Sequence, residues 1–314
     1  MSQKKHYDIV VLGVGPAGLQ AAIHAVRKKT SVLLLGRLNK SSLYKAHIEN
    51  YCCIEGVKTG KELLEAGLNQ VLSFGAEHIE EDVIRTERQG NKSFLVETES
   101  HLEVECYSII MATGISRKGL GLNKEKEFVG RGISYCVDCD ANFYRDKVVA
   151  VVGNGSAAAS GALTLSKVAK HVTLISKELD ISAGLKEDLD AAQVEVLEGR
   201  KVKELIGDNE LKAIKLDNDQ TIELDGLFIE KGAKGTMELA AFLGVTLDPE
   251  HFTYIVTNKN QETNVEGIYA CGDVCGPPFQ MAKAVGEGCI AGMNAASYVN
   301  HLKRKTKKEG GHDS

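Results

Sequence analysis

No apolar run in this 314-residue sequence approaches the ~20 residues of a membrane span, which excludes a transmembrane helix. Net charge is only −5, so the chain as a whole is not built to bind nucleic acid or another polyanion. Tryptophan is absent. Cysteine is sparse: eight residues, Cys52, Cys53, Cys106, Cys136, Cys139, Cys271, Cys275 and Cys289. That is too few for a secreted disulfide scaffold. Metal-ligand spacing is missing as well. Cys136 and Cys139 have no second pair at zinc-site spacing, and Cys271 with Cys275 lacks the further ligands of an iron–sulfur centre. The opening segment MSQKKHYDIVVLG enters a strand almost at once, so no cleavable signal is expected and a cytoplasmic location is. In such a reducing compartment a disulfide is usually catalytic.

What is present begins with Cys136-Val137-Asp138-Cys139, followed by Asp140. Two cysteines at this spacing can close a small disulfide or help hold a metal. A nucleotide-binding turn starts soon after, at Gly153, and a dithiol beside such a turn suggests electron transfer between a cofactor and sulfur. The turn is one of two. Residues 8–23 read DIVVLGVGPAGLQAAI and residues 148–163 read VVAVVGNGSAAASGAL. Each is a buried apolar strand, a Gly-x-Gly-x-x-Gly/Ala turn and an Ala-rich helix start. Gly13, Gly15 and Gly18 correspond to Gly153, Gly155 and Ala158. The first residue permits the tight turn, the second lets a pyrophosphate approach the backbone, and the third packs helix on strand. Phosphates then meet free N–H groups at the positive end of a helix. Two copies in one chain predict an α/β protein with two Rossmann-like, three-layer domains. Its 43% hydrophobic content allows two real cores.

The acid that often holds the ribose hydroxyls about 20 residues further on is missing after the first turn, where Leu35-Gly36-Arg37 stands. After the second, the strand HVTLIS ends in Ser176-Lys177-Glu178, with Lys177 alone as a cation for a 2′-phosphate. A third landmark is VEGIYACGDVCGPPFQMAKAVGEGCIAGMNAASYV at 265–299. A short strand (Gly267–Ala270) leads to Gly272-Asp273, where Asp273 is placed to bind ribityl hydroxyls. A helix starting near Gln280 then offers its positive end to a reduced ring system. Short strands are expected within 82–111, ending at Ala112-Thr113-Gly114, and again within 194–230, with a turn at Asp217-Asn218-Asp219. The basic run KRKTKK at 303–308 reads as a frayed, solvated terminus.

Together these segments resemble the low-molecular-weight thioredoxin reductase family of flavoproteins. The resemblance covers residues 6–302 and rests on GVGPAGLQAA, IENY at 48–51, ATG at 112–114, GRGISYCVDCDANFYRDKVVAVVGNG at 130–155 and GIYACGDV at 267–274. It implies a discontinuous FAD domain (1–116 and 236–314) and an inserted central domain (117–235) carrying the disulfide. A homodimer and a large domain rotation are implied too. By motif, the FAD residues would be Gly13, Gly15, Pro16, Ala17, Gly18, Gly36, Arg37, Asn50, Ala112, Thr113, Gly114, Gly272, Asp273, Gln280, Met281 and Ala282. Cys139 would exchange electrons with the flavin, Cys136 would attack the substrate disulfide, and Asp140 would protonate the leaving thiolate. Asp138 is unusual within this loop, and its carboxylate should disfavour thiolate formation.

The departures concern NAD(P)H. NADPH-using members carry an acidic pair in the helix after the second turn and a His-Arg-Arg run after the next strand. Here those places read Ala159-Ser160-Gly161 and Ser176-Lys177-Glu178. The Gly-Gly-Gln against the flavin is replaced near Ser41-Ser42-Leu43-Tyr44, and a Pro-Gly step is Cys52-Cys53. Similar losses mark relatives that use ferredoxin, a deazaflavin or a second flavin. PFQMAKAVGEGCIAGMNAASY and CDANFY are most similar to the ferredoxin-dependent group. The leading expectation is an FAD enzyme that reduces thioredoxin or a similar protein disulfide, with ferredoxin as donor. The alternatives are an NADPH-dependent enzyme with an atypical phosphate site, a dithiol oxidase holding a second FAD, and a flavin-bound redox sensor using Cys52, Cys53, Cys271 or Cys275.

Overall fold

The computed structural model describes residues 4–90, 92–115, 119–231, 236–249 and 254–309. The chain divides into two compact units: unit 1 comprises 1–98, 102–115 and 239–314, and unit 2 comprises 99–101 and 116–238.

Unit 1 begins with β1 (Lys5–Leu12), α1 (Pro16–Arg27), β2 (Val32–Leu35), the short pair β3 (His47–Ile48) and β4 (Lys58–Thr59), and α2 (Gly60–Ser73). Then follow β5 (Glu77–Ile79), β6 (Val83–Gln89), β7 (Ser93–Thr98) and β8 (Glu103–Met111). Unit 2 contains α3 (Glu125–Phe128), β9 (Ile133–Ser134), α4 (Val137–Asp140), a 3-10 turn (Ala141–Tyr144), β10 (Val148–Val152), α5 (Ser156–Ser166), β11 (His171–Ser176), α6 (Ala183–Ala191) and β12 (Glu195–Glu198). Strands β13 (Val202–Gly207), β14 (Leu211–Leu216), β15 (Thr221–Glu223) and β16 (Gly226–Ile229) complete it. Helix α7 (Thr236–Leu243), β17 (Ile268–Ala270) and α8 (Met281–Glu309) lead back through unit 1.

The main sheet of unit 1 is seven-stranded, in the order β5-β2-β1-β8-β7-β6, with β17 also paired to β8. Strands β5, β2, β1, β8 and β17 run parallel, and the hairpin β6–β7 is antiparallel. Parallel strands are covered on both faces and so read as unbroken apolar runs. Ile9–Leu12 and Val32–Leu35 are buried at every position, whereas β7 alternates. Unit 2 has a five-stranded parallel sheet, β12-β11-β10-β16-β9, and a three-stranded antiparallel sheet, β13-β14-β15. The α/β class and the paired Rossmann-like sheets expected from the two glycine motifs are present. Each motif joins a central strand, β1 or β10, to the helix that follows it.

Helix α2 starts at a complete capping box, Thr59 with Glu62, worth about 1 kcal/mol. Helices α1 and α8 cross with almost no side chain between them. A Cβ on Gly288 would lie 2.2 Å from Ala17 O, and one on Gly292 would lie 2.1 Å from Ala21 O. The basic run expected as a frayed, solvated terminus is helical rather than frayed, while residues 303–306 are exposed as expected. Helix α8 continues through 303–308 to Glu309, and Lys303 Nζ reaches the buried Asp8 carboxylate at 2.5 Å. A paired cation over a buried acid anchors this turn of the helix. No helix among the described residues is long and apolar enough to cross a membrane.

Candidate active site

Cys136 and Cys139 are joined by a disulfide (S–S 2.07 Å). The Gly132 turn and the two-residue strand β9 deliver Cys136 to the start of α4, where Cys136 is the N-cap residue. Its sulfur accepts the Cys139 N–H at 3.2 Å. Cys136 is 6% exposed, while Cys139 is exposed. The Asp140 carboxylate does not cap a helix. It accepts the Ser134 hydroxyl at 2.7 Å, and Ser134 Oγ in turn accepts the Cys136 N–H at 3.0 Å. The same hydroxyl lies 3.2 Å from Cys136 O. Burial, reinforced by the Asp140 and Asp225 carboxylates, pushes the nearby Tyr144 phenol up. Val137 N–H donates to Glu230 Oε1 at 3.0 Å, and Glu230 is buried at the end of β16. Glu230 carried no motif signal, because it joins the redox turn only through folding; Ser134 lies within the 130–155 segment, but nothing in its residue type marked it as the partner of Asp140.

The second glycine turn keeps its shape. Gly155 is the N-cap of α5, and a Cβ on Gly153 would fall 1.7 Å from Glu230 O. The segment after β11 folds back on the turn: Asp180 N–H donates to Asn154 O at 2.8 Å, and Leu179 N–H to Glu198 Oε1 at 3.0 Å. Ser176 Oγ donates to Glu178 O at 2.9 Å. Lys177 and Glu178 are exposed. Arg200 follows β12 and pairs by its backbone N–H with Ser176 O at 3.1 Å.

In unit 1 the candidate cofactor residues gather at the carboxyl ends of parallel strands, the usual ligand edge of an open α/β sheet. Gly13 has φ +111°, and a Cβ there would meet Ala112 O at 2.3 Å. A Cβ on Gly18 would meet Gly13 O at 1.9 Å. Pro16 opens α1 with no acid in its first turn, so the positive helix end is not offset locally. Gly36 lies beside Gly13 and its carbonyl accepts from His78 Nε2 at 2.8 Å. Arg37 pairs with the buried Asp82 at 2.7 Å. Thr113 and Gly114 follow Ala112 beyond the end of β8. Gly272, with φ +86°, packs against Ala17. Asn50 Nδ2 donates to Gln280 Oε1 at 3.3 Å, just before Met281 and Ala282 open α8.

Two residues absent from the motif reading fix the Gly272–Gly276 turn. Lys283 Nζ donates to Gly272 O (2.8 Å) and Gly276 O (2.6 Å), while Glu287 accepts the Gly272 N–H (2.8 Å). The two pair with each other at 3.2 Å. Their i,i+4 spacing on α8 was the available signal. Burial raises the pKa of Asp273 above the usual carboxylate range, against the pull of Lys283 and with the push of Glu287. The thiols of Cys271 and Cys275 are poor nucleophiles. Burial raises Cys271 well above its ordinary value and pushes Cys275 up to about 12. Cys52 and Cys53 are exposed and unjoined, their sulfurs 3.5 Å apart.

A two-turn α/β chain with a Cys-x-x-Cys disulfide defines a class, and residues 7–288 match the pyridine nucleotide-disulphide oxidoreductase family, to which the chain belongs. Within it the likeness is to thioredoxin reductases. The enzyme of that name from Listeria innocua serovar 6a is 32% identical, over 98% of each chain. The atypical thioredoxin reductase TRi of Desulfovibrio vulgaris Hildenborough is 33% identical, covering 94% of this chain and 98% of that one, with a TM-score of 0.82. A ferredoxin-flavin thioredoxin reductase of Clostridium acetobutylicum is 31% identical, covering 95% of this chain and 100% of that one, with a TM-score of 0.68. The protein is therefore an FAD-dependent disulfide oxidoreductase of thioredoxin reductase type. The unit 1 cradle fits FAD: its glycines leave room that a Cβ would fill, and an uncompensated helix end faces the turn.

Proposed function

We propose that the protein reduces thioredoxin or a similar protein disulfide with electrons that reach its FAD from a one-electron protein donor such as ferredoxin, and not from NADPH. The observation that carries this reading is the folded-back 177–181 segment. It brings carboxylate-bearing residues to the second glycine turn where a nucleotide would need cations. The likeness to a structure whose name includes ferredoxin-flavin thioredoxin reductase supports it. Bound FAD accepts electrons singly and passes them on as a pair. The unit 1 residues from Gly13 to Gly18, with Gly36, Arg37, Asn50, Ala112, Thr113, Gly114, Gly272, Asp273, Gln280, Met281 and Ala282, would hold it. The chain would act as a homodimer in the cytoplasm.

In this reading the electron pair enters at Cys139 Sγ, the S–S bond breaks, and the charge remains on Cys136 Sγ, where the Cys139 N–H supports it. Cys136 must be uncovered before it attacks the partner disulfide. The bond formed is a mixed disulfide, and the partner's departing sulfur takes a proton from Asp140. The Ser134 hydroxyl suits Asp140 in both states. It donates to the ionised carboxylate, and it turns to Cys136 O when Asp140 carries the proton. Phe143, 74% exposed in the turn after Cys139, offers an apolar contact for a protein substrate.

The runner-up is NADPH as donor, favoured by Arg200 beside Ser176 and Lys177. Anaerobic mixing of the yellow protein with NADPH, NADH, reduced ferredoxin and reduced deazaflavin tests the choice. Bleaching by ferredoxin alone is expected. Rapid bleaching by NADPH with thioredoxin turnover would overturn it. A count of about one FAD per chain is expected, and about two would support the dithiol oxidase with a second flavin.

A further inference from the structure

We propose that Glu230 is a positioning residue that keeps the Cys136–Cys139 couple strongly reducing. The proposal rests on the reading that this pair is the redox couple. Glu230 is 6% exposed, directly after the interior strand β16, and its carboxylate accepts the N–H of Val137, the residue next to Cys136. Val137 is itself buried at 1%. The contact is flanked by β10 and α5. Glu230 N–H donates to Val152 O at 2.9 Å, fixing the residue to β10. Gly161 of α5 faces both partners: a Cβ there would lie 3.0 Å from Val137 Cγ2 and 3.7 Å from Glu230 Cγ. A side chain at 161 would press on the pair, so the bare backbone leaves room for Val137 and Glu230 to meet.

The electrostatic consequence has a definite sign. Reduction breaks the S–S bond, adds two electrons and one proton, which goes to Cys139, and leaves a thiolate on Cys136 next to the Glu230 contact. The amide after the N-cap cysteine would otherwise add to the positive end of the turn, which favours thiolate. A buried carboxylate takes up that amide and adds a like charge, so it disfavours the thiolate. A dithiol whose reduced form is stabilised is an oxidant, and one whose reduced form is destabilised is a reductant. Glu230 therefore biases the couple toward passing electrons on to a protein disulfide. Its carbonyl simultaneously backs Gly153, which ties the redox turn to the second glycine turn through one residue.

The test is an equilibrium of the flavin-loaded protein with dithiothreitol and its cyclic disulfide, read by alkylation of Cys136 and Cys139. It needs neither ferredoxin nor thioredoxin, so its outcome is separate from the choice of donor and substrate. Glu230→Gln keeps an acceptor for Val137 N–H and removes the charge. The equilibrium is expected to shift at least about tenfold toward the dithiol, or roughly 30 mV for a two-electron couple. Glu230→Met, apolar and of similar length, must shift it in the same direction, whereas Glu230→Asp, which keeps the charge, must shift it less than Gln does. An unchanged equilibrium in a folded Gln or Met variant, or a shift toward the disulfide, would overturn the proposal. So would loss of the fold in both, which would make the carboxylate a structural requirement.

Discussion

The two glycine turns share a backbone and differ in everything around it. At Gly13 the neighbouring strand ends supply carbonyl walls and the openings of α1 and α8, and Arg37 beside the turn is paired with Asp82. At Gly153 the strand end supplies Glu230, and the following segment lies across the turn with Asp180, held by Glu198. Glycine spacing therefore specifies how closely a ligand can approach, while the charge of adjoining strand ends decides whether an anionic ligand is welcome.

The comparison can be broken in several ways. The largest effect is expected from Cys136→Ser, which should lower disulfide turnover by on the order of 10³-fold or more without changing bound FAD. Flavin content and thioredoxin-linked turnover measure this together. Next, Gly13→Ala places a Cβ against Ala112 O at positive φ and should empty unit 1 of FAD. Gly153→Ala, with a Cβ against Glu230 O, should keep FAD and lower stability by about 1–3 kcal/mol. Equal flavin loss in both would erase the distinction between the turns.

On the unit 2 side, Phe143→Ala should raise the KM for thioredoxin about tenfold with kcat little changed. Asp273 gives a test by pH. A carboxyl whose folded pKa lies above its unfolded value makes the native state hold the proton more tightly. Stability of the flavin-free protein should then fall as pH rises from the ordinary carboxylate range through the raised value, and Asp273→Asn should flatten that fall in thermal melts. Smallest of all, Lys177→Ala with Arg200→Ala should leave ferredoxin-linked turnover within about twofold.

Much of this was legible in the sequence. The strands β1 and β10, both turns and the redox pair are local patterns, each written within a few consecutive residues. Glu230 was not, because its partner Val137 lies on another segment and only folding joins them; Ser134 and the Lys283–Glu287 brace are local, but no glycine or cysteine motif marks their roles. The basic run is exposed at 303–306 as expected, but it is helical and not frayed, because Asp8, far away in sequence, pairs with Lys303.

The glycine-to-backbone crossing of α1 and α8 also sets an order of assembly. The floor of the flavin cradle pairs a helix made before unit 2 with one made after it. During synthesis unit 2 has emerged in full while α1 still lacks its cover, and the 239–314 stretch takes on the order of 4–15 s to translate. Over that interval the nascent chain carries a finished redox domain and an unfinished flavin domain. Loading of FAD is thereby deferred until α8 has been made.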